Sequence, residues 1–99
     1  MGQFDVYRRP NASHFLLDVQ SRMLDDLAIK ACVPLQIKNP FLKTSLQLNP
    51  EFSIDGDVYV MMTHYILSVP ARDLRNPITN LRHEDYRITS ALDMLFHGF

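Results

Sequence analysis

In short segments of the first seventy residues, apolar side chains recur at every second position. That spacing lines one side of a pleated strand and is useless to a helix. Phe4 and Val6 alternate with Gln3 and Asp5; Phe15, Leu17 and Val19 alternate with His14, Asp18 and Gln20. Ile29, Ala31, Val33, Leu35 and Ile37 share one face of a third segment. Turn dipeptides punctuate the chain at Pro10-Asn11, Asn39-Pro40, Asn49-Pro50, Asp55-Gly56 and Asn76-Pro77. Asn and Asp tolerate left-handed backbone, Gly supplies positive φ, and Pro presets φ. Asp55-Gly56 lies between strand formers, which predicts a hairpin over residues 53–59. Val58 to Thr63 reads as the continuing strand, and Ser68-Val69-Pro70 as another short extended piece. Pro34 and Pro70 each remove a ladder donor, so each belongs at an edge or a bulge.

The period changes in the last twenty residues. Leu81, Ile88, Leu92, Leu95 and Phe96 fall at helical spacing. Asn80 reads as the N-cap, Glu84 and Asp85 lie near the positive end of the dipole, and Gly98 takes the C-terminal capping position. The resulting picture is five or six short antiparallel strands followed by one C-terminal helix.

A chain of 99 residues makes one domain, here 1–99, and buries only about two thirds of its unfolded surface. With 46% hydrophobic and 21% charged residues it is globular, not collagen-like, low-complexity or disordered. A single cysteine, Cys32, leaves no internal disulfide and fits a reducing compartment. No apolar run approaches the ~18 residues of a membrane span, and Met-Gly-Gln-Phe-Asp carries no signal-peptide pattern. The expected location is the cytoplasm. Net charge is −1: residues 1–50 hold six Lys/Arg against four Asp, residues 51–99 four Arg against seven acids. Neither half has the clustered basic footprint of a chain that grips phosphates directly. Arg8-Arg9, the one basic doublet, reads as a solvated strand end.

Catalytic and metal chemistry leave little trace. His14, His64, His83 and His97 form no His-x-His or His-Glu-x-x-His pair. Cys32, between Ala31 and Val33, reads as a buried small hydrophobe. Glycines only at 2, 56 and 98 exclude a phosphate-cradling loop. We expect no catalytic residue, no metal and no cofactor. Met61-Met62 places adjacent side chains on opposite faces of a strand, so one of them is expected to cover a second apolar layer or a subunit interface.

The C-terminus and one loop stand out. Chain ends are usually polar, yet this one runs Met94-Leu95-Phe96-His97-Gly98-Phe99. Phe96 and Phe99 are expected to be buried, in this protomer or another. Tyr86, Ser90, Asp93 and His97 form a second helical stripe, off the Ile88/Leu92/Leu95 face, suited to directional contacts. Ser21-Arg22-Met23-Leu24-Asp25-Asp26 puts two apolar side chains in a loop, where they either tuck under or mark a contact site.

The order of these pieces resembles the CcdB family. The likeness runs through Gln3-Phe4 with Val6-Tyr7, Asp18-Val19-Gln20-Ser21, Val33-Pro34-Leu35, Met61-Met62-Thr63 and Ser68-Val69-Pro70. It continues with Leu81 and His83 and closes with Ile88, Ala91, Phe96 and Gly98. The resemblance implies a mainly antiparallel, SH3-like, partly open barrel (CcdB/MazF-like) with one C-terminal helix, in a twofold homodimer. It implies a toxin of a plasmid-type toxin–antitoxin pair that binds the DNA gyrase A subunit and traps the enzyme's cleaved-DNA complex. It also implies a CcdA-like antitoxin, whose disordered C-terminal segment wraps the toxin and with which the toxin autorepresses its operon. Carried over position by position, the gyrase-binding residues are Ser21, Met23 and Leu24 of the loop and Tyr86, Ser90, Phe96, His97, Gly98 and Phe99 of the helix end.

One departure concerns potency. The best-known member ends Trp-Gly-Ile, its Trp stacking on a gyrase Arg; this chain ends His97-Gly98-Phe99. A smaller ring on a guanidinium predicts weaker binding by about 1–2 kcal/mol. Two other readings share the fold: a MazF/Kid-type endoribonuclease using His97 or His14 with Arg8 or Arg9, and a non-toxic homologue acting as antitoxin-binding co-repressor.

Overall fold

The computed structural model describes residues 2–9 and 12–98, so Pro10-Asn11 and Phe99 lie outside the described residues. Among the described residues, seven strands precede one α-helix: β1 Asp5–Arg8, β2 Phe15–Asp18, β3 Ile29–Ile37, β4 Glu51–Ile54, β5 Asp57–Met61, β6 Leu67–Pro70, β7 Thr79–Asn80 and α1 Asp85–His97. All pairings are antiparallel. The order is β4-β5-β3-β2-β1-β7, with β6 also on β3, and the sheet curls into a nearly closed barrel, as expected.

Register explains the inside of the barrel. Val6 faces Leu17, and Leu17 faces Val33. These three, with Phe15, Leu35, Phe52, Met61, Leu81, Ile88 and Ala91, belong to the main core. The alternate residues Tyr7, Leu16 and Cys32 form a second, smaller core with Val69 and Leu74 on the other face. β2 is therefore buried along its whole length, Asp18 included. A period of two marks only the inner face, so Leu16 gave no signal of its own.

Asp55 (φ 53°) and Gly56 (φ 86°) make the hairpin turn between β4 and β5. Two successive positive φ values define the turn whose twist matches the flanking strands. Pro34 occupies a seam: β3 pairs β6 through Ile29–Cys32 and β5 through Leu35–Ile37. The Val19 N–H donates to the Ala31 carbonyl, so odd residues of β3 bond toward β2. Pro34 therefore turns its missing donor toward Met62, whose N–H donates to the Pro34 carbonyl at 2.9 Å just past the end of β5; it lies inside central β3 and not at the expected edge or bulge. Pro70 ends β6, which pairs only with β3.

Several boundaries differ from the sequence expectation. Phe4 adopts φ 70° in a turn before β1, though its ring stays in the core. β5 stops at Met61, and Thr63–Tyr65 is a 3-10 turn. The Thr63 hydroxyl donates to the Leu48 carbonyl and satisfies it locally. Met61 and Met62 are both buried within the chain, so the pair presents no apolar side chain to a partner. Burial of both side chains removes the expected hint of an interface. Asn80 is not the helix N-cap: that position falls on Glu84, and Asn80 Oδ1 instead accepts from the Arg82 N–H at 2.8 Å at the start of a 3-10 turn over Arg82–Glu84 that precedes α1. β7, two residues long, was too short to read from sequence.

Candidate functional site

Two segments carry the residues singled out from sequence. The first is the β2–β3 connection. Ser21 caps a 3-10 turn over Arg22–Leu24 by accepting from the Met23 N–H at 3.2 Å. Gln20 braces it: Oε1 accepts from the Ala31 N–H at 3.1 Å and Nε2 donates to the Leu24 carbonyl at 2.9 Å. The turn has no buried residue. Met23 is 90% exposed and Leu24 47%. Apolar side chains held outward on an ordered turn, and not tucked beneath it, are what a contact surface requires.

The second segment is α1. Ile88 and Ala91 are its buried residues and anchor it on the main core. Arg87 adds a tie at the start: Nη2 donates to the Glu51 carbonyl at 2.8 Å, and the guanidinium lies 4.8 Å from the Phe52 ring centroid. Tyr86 is 81% exposed, Ser90 half-buried, Asp93 and His97 exposed. The polar stripe therefore faces away from the barrel, as its spacing predicted. Gly98 ends the helix at φ 79°, its N–H donating to the Asp93 and Met94 carbonyls. Ser90, Met94 and Gly98 line a cleft of about 470 Å³ with Gln47 of the β3–β4 loop.

Phe96 departs from expectation in one respect: it is 63% exposed in this protomer, because its position lies off the Ile88/Ala91 face. Phe99 lies outside the described residues. The loop's hydrogen bonds run to Asp18 of β2 and Ala31 of β3, and the helix is anchored on β4 through Glu51 and Phe52. The two segments thus present their exposed side chains from separate supports.

The ribonuclease candidates sit elsewhere. Arg9 Nη1 lies 3.4 Å from His14 Nε2. Partial burial and then the Arg9 charge hold His14 below the usual imidazole range. Arg8 instead stacks over Phe15, 5.4 Å from the ring centroid. Among the described residues, no group of three His, Cys, Asp or Glu side chains is placed to hold a metal ion. No helix among them is long and apolar enough to cross a membrane.

Sequence reasoning missed the supports beneath these surfaces. Lys30, buried on β3, lies 2.8 Å from Asp25 Oδ1 and 3.9 Å from Asp18 Oδ2. Burial raises the pKa of Asp18, while the Lys30 hydrogen bond lowers that of Asp25. Gln20 stood in the quoted Asp18-Val19-Gln20-Ser21 stretch, but nothing local announces that its amide spans eleven residues to Ala31.

Comparison with known families supplies the remaining constraint. The family model described as CcdB protein matches residues 3–98, from the turn before β1 to the glycine that ends α1. That span takes in the barrel, the Ser21–Leu24 turn and the whole helix. The chain belongs to the CcdB family, the toxin side of toxin–antitoxin pairs.

Proposed function

We propose that this chain is a toxin that binds the DNA gyrase A subunit and holds the enzyme in its cleaved-DNA state, without catalysis of its own. The observation that carries the reading is the coincidence of exposure with family position. Met23, Tyr86 and Phe96 are large side chains left 90%, 81% and 63% exposed; Phe41 and Leu46 of the β3–β4 loop are also exposed, at 91% and 79%, but only the first three stand on the turn and the helix. They fall at positions where the family meets gyrase, beside Ser21, Leu24, Ser90, His97, Gly98 and Phe99. Aromatic and methionine anchors of this kind dominate binding energy at protein interfaces.

A gyrase cleavage assay tests this. The purified protein, gyrase, ATP and supercoiled plasmid are combined, and linear DNA is scored after detergent and protease. Accumulated linear DNA that disappears when Phe96 is truncated supports the reading. No linear DNA at excess protein overturns it and leaves the co-repressor alternative, for which co-purification with the antitoxin and operator binding are the measurements.

The homodimer and the antitoxin belong to the same proposal. Leu92 and Leu95 are only half-buried and Phe96 is exposed, so the helix end retains apolar surface for a second copy or a wrapping peptide. A sizing column reading roughly twice 11.5 kDa supports the dimer; a monomer at micromolar concentration overturns it.

The endoribonuclease reading has one observation in its favour, the Arg9–His14 contact. A neutral imidazole beside a guanidinium can accept a proton. Cleavage of RNA without metal, abolished by His14→Ala, is its test.

A further inference from the structure

We infer that Lys30 is a positioning residue for the Ser21–Leu24 turn, clamping the flanks of that turn, Asp18 before it and Asp25 after it, so that Met23 and Leu24 are presented in fixed geometry. The inference rests on the gyrase reading of that turn and deepens it.

The connection leaves the barrel at Asp18, the last residue of β2, and returns at Ile29. Between them the turn buries nothing, so core packing does not hold it. Lys30 reaches both ends of its N-terminal half. Its ammonium is 2.8 Å from the Asp25 carboxylate just after the turn and 3.9 Å from the Asp18 carboxylate just before it. The Lys30 side chain is 9% exposed and that of Asp18 1%. Burying such charges costs more than burying apolar groups of the same size, so the arrangement is poor at stabilising a core and good at specifying one geometry. Asp18 shows the point. Its Oδ1 accepts from the Gln20 N–H at 2.9 Å, but Oδ2 has no hydrogen-bond partner, so that oxygen meets Lys30 through charge alone.

A second buttress meets the same Asp25 carboxylate. Gly2 packs so closely on Asp25 that a side-chain carbon on Gly2 would collide with both carboxylate oxygens. The N-terminal segment therefore holds Asp25 from one side and Lys30 from the other. Gln20, bonded to Leu24 and Ala31, completes the frame. A turn ordered before binding avoids the entropy that a loose one loses at the interface.

The test uses the full chain. Asp25→Ala removes the clamp at a site outside the core; Lys30→Met removes it from the buried side; Lys30→Arg is the conservative variant. Backbone 15N order parameters are measured for Arg22, Met23 and Leu24, with Leu17 and Val33 as interior controls. Affinity for the gyrase A subunit is measured in parallel. The expected result is a fall in order at the turn to below about 0.6 in Asp25→Ala and Lys30→Met, with unchanged controls. Gyrase binding weakens roughly tenfold in both, and Lys30→Arg retains turn order and binding. If Lys30→Met does not fold, Asp25→Ala carries the test alone. Turn amides that stay ordered in Asp25→Ala overturn the proposal, as does a loosened turn with unchanged affinity. If the unmodified protein does not bind gyrase, the functional reading fails, while the order parameters still decide whether Lys30 positions the turn.

Discussion

Arg87 lies over Phe52, its guanidinium 4.8 Å from the ring centroid, and thereby fastens the first turn of α1 to β4. The same group donates to the Glu51 carbonyl and pairs with Glu84 at 3.3 Å. The pair with Glu84 is partly exposed and worth little; the cation–π contact and the carbonyl bond are worth roughly 0.5–1 and 0.5–1.5 kcal/mol.

Arg87→Ala should therefore cost about 1–2 kcal/mol, lowering Tm by roughly 4–16 °C for a domain of this size. Calorimetry or a urea titration checks it. An unchanged Tm would mean that Ile88 and Ala91 alone seat the helix.

Phe96→Ala and Tyr86→Ala remove exposed side chains, so each should change monomer stability by no more than about 0.5 kcal/mol. Loss of gyrase trapping should be far larger, about 2 kcal/mol or some thirtyfold, as for aromatic anchors elsewhere. His97→Trp should move the other way and strengthen trapping by about 1–2 kcal/mol through a larger stacking face. The cleavage assay and an unfolding curve on each variant separate binding from folding.

Asp18 predicts a pH dependence. Burial raises its folded-state pKa, so the native state holds the proton more tightly than the unfolded chain. Its contribution to stability is full below the ordinary carboxylate value and lost as pH rises through the raised value. Asp18→Asn keeps an acceptor for the Gln20 N–H and cannot ionise. It should match the parent in acid and exceed it in stability at neutral pH. Urea midpoints between about pH 3.5 and 8 provide the check. A variant less stable at neutral pH would mean that the Lys30 attraction outweighs burial.

Cys32 is fully buried, and its thiol is pushed up to about 12 by burial and then by the Asp18 charge. It should stay unreactive toward a thiol reagent in the folded protein and react only on unfolding. Cys32→Ser should cost more than Cys32→Ala, since it buries a hydroxyl among Tyr7, Leu16 and Val69.

What the sequence determined by itself is what neighbouring residues decide among themselves. Alternation in residues 15–19 and 29–37 depends on the pleat, the 55–56 turn on backbone sterics, and the Gly98 terminus on the cost of left-handed backbone for other residues. The short antiparallel strands and the C-terminal helix were legible for that reason, and so was the outward stripe of Tyr86, Ser90, Asp93 and His97; the barrel came only from the family resemblance. The full set of supports was settled only by closure of the sheet. Antiparallel pairing of β2 with β3 sets Asp18 opposite Cys32, two residues from Lys30. The fold of the connection then brings Asp25 to the same ammonium. Leu16 and Cys32 became a second core only because Val69 and Leu74 cover them, and Met62 is buried with its N–H bonded across to the Pro34 carbonyl. Each of these depends on which distant segment a residue meets. Local periodicity carries no record of that choice, because the free energy that makes it, burial and charge pairing across the sheet, exists only once the chain has closed.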